Sequence, residues 1–199
     1  MQAMRVGDAA AGGTPRGELD LRTLREAQRG EPGACRALIA RYRRPVGSLL
    51  RRMLLPAGLD ALTEDLAQES FLRAFRALPR FEPDGAAKLS TWLLRIAARL
   101  AINELQRVRP PTRPLADVAV VATNAADDEH RRKAIGRAIR EAVSQLQPEY
   151  RAAFLLREYH GLEYSEIAES LELDIGTVKS RLHRARTALR TRLAEVRHV

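Results

Sequence analysis

Lys179, Ser180, His183, Arg184 and Thr187 recur at helical spacing, so on one helix they form a single outward face. Val178, Leu182, Ala185 and Leu189 make the opposite, apolar stripe. A second polar row, Arg95, Arg99, Asn103 and Gln106, runs down an otherwise apolar segment with Trp92 at its border. Short hydroxyls, amides and guanidinium groups in such rows hydrogen bond to phosphate oxygens and base edges, so both rows suit nucleic acid. A third row, Asp65, Gln68, Glu69 and Leu72, is acidic with a leucine at its centre, which fits a basic protein partner or an ordinary solvated face. Covalent chemistry finds no such support. Cys35 is the one cysteine, and the histidines at 130, 160, 183 and 198 lack a nucleophile beside them. Neither a Gly-rich phosphate loop nor paired metal-ligand spacing is present, so no catalytic residue, metal or cofactor is expected. Surface or capping positions are the default for the histidines, and a small buried side chain for Cys35.

Charge points the same way. The 199 residues carry 34 Lys and Arg against 25 Asp and Glu, a formal net charge of +9, and 45% are hydrophobic. An excess of that size attracts polyanions. It is also unevenly placed, since residues 175–197 sum to +6 and residues 149–174 to −5. A charged surface helix in a bundle does not need that segregation, whereas a DNA recognition helix does. Arg36, Arg41, Arg43, Arg44, Arg51 and Arg52 form a further basic cluster, read as a solvated face that adds nonspecific phosphate attraction. No apolar run approaches a membrane span and the N-terminus lacks the core of a signal peptide, so a cytoplasmic protein without membrane insertion is expected.

The elements that position these rows are helical throughout, because apolar residues recur three and four apart and strand-like alternation is absent. The expected fold is all-α, two small helical domains joined by a flexible linker. Residues 1–18 read as a disordered tail, 19–109 as the first domain, 110–134 as the linker opened by Pro110 and Pro111, and 135–199 as the second domain. In the first domain, Ala67, Phe71, Ala74, Phe75 and Leu78 form the core face opposite the acidic row. The segment 90–107 has apolar residues on two sides and keeps only the Arg95 to Gln106 row polar, as though spared for a ligand. Trp92 beside it suits core packing or a platform for an unstacked base. In the second domain, Pro148 opens a helix that Gly161 stops. A short helix over 165–171, a turn at 172–174 and a long helix from Ile175, capped by Asp174, then make a helix-turn-helix. Glu172 stands where many such turns place glycine.

The stretches ALIARYRRPVGSLLRRMLL, EDLAQESFLRAFRALPRF and STWLLRIAARLAINELQR, followed by LQPEYRAAFLLREYHGLEYSEIAESLELDIGTVKSRLHRARTAL, together resemble the extracytoplasmic-function group of bacterial sigma factors. The first three look like that family's region two and the last like its region four. The resemblance implies a subunit that directs core RNA polymerase to promoters and helps open them. Asp65, Gln68, Glu69 and Leu72 would dock on the polymerase beta-prime coiled coil. Lys88, Arg95, Arg99, Asn103 and Gln106 would engage the minus-ten element of promoter DNA. Lys179, Ser180, His183, Arg184 and Thr187 would read the minus-thirty-five element, with the second domain near the beta flap. An anti-sigma factor is implied as a further partner. Two departures stand out: Arg99 replaces an asparagine common in relatives, and the loop over 82–90 is longer than in some. A stand-alone helix-turn-helix regulator is the alternative, although it leaves the Arg95, Arg99 and Asn103 row unexplained. A basic enzyme acting on nucleic acid has little to support it.

Overall fold

The structure, a computed structural model, describes residues 17–85, 87–108 and 128–196. Among the described residues there are eight α-helices and no strand. The first unit holds α1 (Leu21–Gln28), α2 (Pro32–Leu54), α3 (Thr63–Ala77) and α4 (Leu89–Arg107). The second holds α5 (Asp128–Ser144), α6 (Pro148–Glu158), α7 (Tyr164–Leu171) and α8 (Ile175–Val196). The all-α expectation holds, and so does the division into two helical units. Residues 128–134, expected as linker, are instead the first turns of α5. The rest of the expected linker, 110–127, lies outside the described residues.

Local signals set the helix ends. Asp20 caps α1 by accepting from the Thr23 N–H at 2.9 Å, and Pro32 and Pro148 open α2 and α6, where a missing N–H costs nothing. Gly161 takes φ 72° and turns the chain out of α6. In the first unit α4 lies across α2 and α3 while α1 packs on α2. Leu38, Val46, Leu49, Leu50 and Met53 of α2 and Leu93, Leu94, Ala97 and Ala101 of α4 are almost wholly buried there. In the second unit α8 packs on α5, α6 and α7 through Val178, Leu182, Ala185 and Leu189, the stripe expected from the sequence.

The end of the segment read as a tail is docked. Arg41 donates to the Gly17 carbonyl. The Glu18 carboxylate accepts from the Tyr42 hydroxyl at 2.8 Å, from the Ser90 N–H at 3.2 Å and from the Ser90 hydroxyl. A carboxylate is favoured here because Ser90 lies in the first turn of α4, where backbone N–H groups lack helical partners. Burial, and then the hydrogen bond to Glu18 and its charge, push the Tyr42 hydroxyl up to about 12.

The two units also pack on each other, α4 against α6 and α7, and α2 against α6, so that their buried residues form one continuous core. Arg151, buried, joins them. Its guanidinium donates to the Met53 carbonyl at 2.6 Å and to the Ser144 and Leu146 carbonyls at 2.8 Å each. Met53 lies in the last turn of α2, where carbonyls lack helical partners, so one arginine closes a helix end of the first unit and a loop of the second. Burial lowers the Arg151 guanidinium to about 10, which leaves it charged at neutral pH.

Arg52 is not on a solvated face as expected, for it lies over the Tyr159 ring at 4.2 Å. His160, next to it in sequence, is buried and neither a surface nor a capping histidine. The turn at Gly161 tucks it inward. Burial and then the Arg52 charge push its imidazole down to about 4.

A pH dependence follows. Unfolded His160 takes up a proton near its ordinary 6.5 but folded His160 does so only near 4, so the folded state binds fewer protons between those values. Stability therefore falls as pH drops from 6.5 and the loss is complete below 4, reaching about 3 kcal/mol. Urea denaturation across that window should show a shallower slope for His160→Gln than for the wild type. Equal slopes would mean that His160 is not the source.

Candidate nucleic-acid interface

The helix-turn-helix is built as its sequence requires. In α7 a capping box closes the first turn, with the Glu166 carboxylate accepting from the Glu163 N–H at 2.7 Å. Ile167, Ala168 and Val178 are buried where α7 meets α8. Between the helices Glu172 takes the left-handed conformation, φ 54°, the one non-glycine with positive φ among the described residues. That conformation costs an L-residue about 1 kcal/mol relative to glycine. Asp174 then caps α8, accepting from the Thr177 N–H at 2.7 Å and from its hydroxyl, bonds that hold its carboxyl below the usual range. Gly176 leaves room for that cap, since a Cβ there would stand 2.9 Å from Asp174 Oδ1.

Lys179, Ser180, His183, Arg184 and Thr187 are all exposed on one face of α8, as the periodicity predicts. Arg184 donates to the Tyr150 hydroxyl at 2.9 Å, which holds the guanidinium beside the start of α6. Together with Thr177, Ser180 and Arg181 these residues line a shallow concavity at the N-terminal end of α8. Gln147 and Glu149 at the start of α6 complete its lining, and none of the α8 residues that line it is acidic.

The α4 row is placed differently. Asn103 and Gln106 are exposed, as is Lys88 at the helix entry. Arg95 and Arg99, expected to stand open, are only about one-third exposed because α7 covers them. Arg95 donates to Glu169 at 3.0 Å, and Arg99 forms an ion pair with Glu172. One turn earlier the buried Thr91 hydroxyl donates to Glu166 at 3.0 Å. The row is therefore split, its C-terminal amides open and its two arginines engaged. Trp92 is half-buried, its ring 5.1 Å from that of Phe81, in line with core packing at the border of the row.

On α3 the expected faces also separate. Phe71, Ala74 and Leu78 are buried, while Asp65, Gln68 and Leu72 are exposed and Glu69 is half-buried in a 2.6 Å pair with Arg73. Gln68 and Leu72 edge a groove of about 770 Å³ whose far wall is Ile39, Arg43, Arg44 and Gly47 of α2. Sequence reasoning missed that wall, because nothing in the spacing of α2 says which neighbour its arginines face. It also missed Glu166, Glu169 and Glu172 as partners of α4, although the net −5 of their segment was the available signal.

Residues 38–110 match the family Sigma-70 region 2, and residues 136–189 match Sigma-70, region 4. The RNA polymerase sigma-H factor of Pseudomonas aeruginosa is 34% identical over 185 residues, covering 86% of this chain and 92% of that protein. The ECF RNA polymerase sigma-E factor of Salmonella typhimurium is 35% identical over 180 residues, covering 83% and 90%. The chain belongs to the extracytoplasmic-function sigma factors. It is a transcription-initiation factor, the subunit that gives core RNA polymerase its promoter specificity, and the stand-alone regulator is not favoured. Two solved structures share the fold of this sigma factor. One, CnrH in complex with the cytosolic domain of CnrY, aligns with a TM-score of 0.62 at 22% identity over 87% of this chain and 96% of that one. The other is the sigma factor RpoE in complex with the anti-sigma factor NepR from Bartonella quintana, with a TM-score of 0.54 at 20% identity over 80% and 96%. Among the described residues of this sigma factor no helix is long and apolar enough to cross a membrane.

Proposed function

We propose that this sigma factor divides its work among three surfaces. The α3 face of Asp65, Gln68, Glu69 and Leu72, with the groove beside it, takes the beta-prime coiled coil of core polymerase. Lys88, Arg95, Arg99, Asn103 and Gln106 take the minus-ten strand. Lys179, Ser180, His183, Arg184 and Thr187 take the minus-thirty-five duplex, with the second unit against the beta flap. The observation that carries this reading is the sorting of sign by surface. Outward acids and an exposed leucine gather on α3, whereas the two donor rows lie on α4 and α8.

The mechanism is binding without covalent chemistry by this chain. The α8 row enters a major groove, where each base pair presents a distinct pattern of donors and acceptors. The α4 row holds the displaced strand while a base leaves the stack, and a fitted pocket can offset an unstacking cost of a few kcal/mol. Arg99 only donates and is always charged, so it suits a phosphate or an acceptor-rich edge such as that of guanine. Bond formation belongs to the polymerase, which makes this chain a non-catalytic, cytoplasmic factor. The solved neighbour RpoE, a sigma factor in complex with the anti-sigma factor NepR, supports an anti-sigma factor as a third partner.

Two outcomes test these assignments. Asp65→Arg combined with Glu69→Arg should abolish co-elution with core polymerase while the circular dichroism spectrum stays helical, because both side chains lie away from the Phe71 core face and would now repel a basic partner. Undiminished co-elution would remove α3 as the docking face. On the minus-thirty-five side, Arg184→Ala should lower promoter affinity roughly ten- to hundredfold and relax preference at one base pair, whereas Lys179→Ala should weaken all sequences alike and flatten the salt dependence. A selection from a randomised duplex separates the two, and equal sequence-independent losses would refute the assignment.

A further inference from the structure

The arginines assigned to the minus-ten strand are the ones α7 covers. Glu166, Glu169 and Glu172 lie three residues apart along α7 and its C-terminal end, and meet Thr91, Arg95 and Arg99, which lie four apart along α4. Carboxylates at that repeat offer the α4 row what a strand of phosphates offers it, a line of anionic acceptors. Glu172 makes its contact from a left-handed backbone position that favours glycine, so the charge is held there against local preference. Arg99, where relatives often carry asparagine, pairs with Glu172, where many such turns carry glycine, so two departures from the usual pattern meet at one contact.

We propose that the acidic face of α7 is an internal ligand for the α4 arginine row, in competition with nucleic acid, so that the free chain is closed at its minus-ten face and open at its α8 face. This rests on the reading of the α4 row as a DNA surface. Both pairs are partly exposed, with Arg95 at 28% and Glu169 at 50%, Arg99 at 34% and Glu172 at 69%. Pairs that wet are weak and salt-screened, so they bias the equilibrium without locking it. Among the described residues, no hydrogen bond or ion pair joins Lys179, Ser180, His183 or Thr187 to the first unit, and all four are exposed. Closure is thus selective.

The test uses the full chain with Glu169→Gln and Glu172→Gln combined. Glu166 is left in place because it also caps α7. Glu26→Gln with Glu141→Gln removes the same charge from surfaces away from α4 and serves as the control. The first measurement is small-angle scattering at low salt, where the Glu169/Glu172 variant should be more extended than wild type and control, and should match them at high salt. Reversing the pair as Arg99→Glu with Glu172→Arg should restore the compact state that Arg99→Glu alone loses. The second measurement is binding of a short random-sequence single-stranded DNA oligonucleotide without polymerase, which should tighten roughly fivefold over the control. Scattering and binding indistinguishable from the control would overturn the proposal. Scattering requires no DNA, so closure is judged separately from function: a variant that opens, in a chain that never supports promoter-specific transcription with core polymerase, would refute the α4 reading and leave the contact intact. A variant that opens without binding the oligonucleotide more tightly would refute the competition.

Discussion

The burial of α4 is the constraint on which the rest depends. Leu89, Leu93 and Leu94 at its start, Ala97, Ala98 and Ala101 in its middle and Leu105 near its end are all removed from water, against α2 and α3 on one side and the second unit on the other. A helix enclosed to that extent has one strip left for polar groups, and that strip is the Thr91, Arg95, Arg99, Asn103 row. The apolar packing therefore sets the direction in which the arginines project. It also explains why Glu18 reaches back to the entry of α4, since a buried helix start needs acceptors for N–H groups that water cannot reach.

The second unit meets this strip with the opposite sign. The acids of α7 and the basic face of α8 share one helix-turn-helix, a few residues apart, and the turn between them aims them in different directions. A charged pair at a wet boundary contributes little to stability, typically less than about 1 kcal/mol. Its significance lies in choice of partner, since an arginine held by a glutamate must leave it to hold a phosphate. The interior side of the same interface is built otherwise. Arg151 satisfies carbonyls from both units, and His160, close enough to Arg52 of the first unit to feel its charge, is out of water, where a proton is costly. Contact between the units thus has a solvent-facing edge that responds to salt and an inner edge that responds to acid.

Much of this was legible in the residues themselves. The 3.6-residue period of Val178, Leu182, Ala185 and Leu189 sufficed to turn Lys179, Ser180, His183, Arg184 and Thr187 outward, because a helix has one geometry and its apolar stripe must be buried. Pro148, Gly161 and Asp174 marked helix ends by chemistry that acts within a few residues, and the faces of α3 separated for the same reason. The first turns of α5, from Asp128, were missed because they follow a Pro-rich, small-residue stretch that reads as loop. Glu18 was missed because a carboxylate that pairs with Tyr42 and Ser90 is indistinguishable in sequence from one in a tail.

By itself, then, the sequence determined the helices, their buried stripes, the sign of each outward face and the family, all of which depend on spacing along one chain. Only the tertiary structure decided which faces meet. That Arg95 and Arg99 stand against Glu169 and Glu172 rather than open to solvent, that Arg151 reaches the last turn of α2, and that His160 is enclosed are matters of how two units settle on one another. Periodicity carries no term for that docking. Side chains more than seventy residues apart have no local geometry in common, and their pairing is fixed by the packing of whole helices.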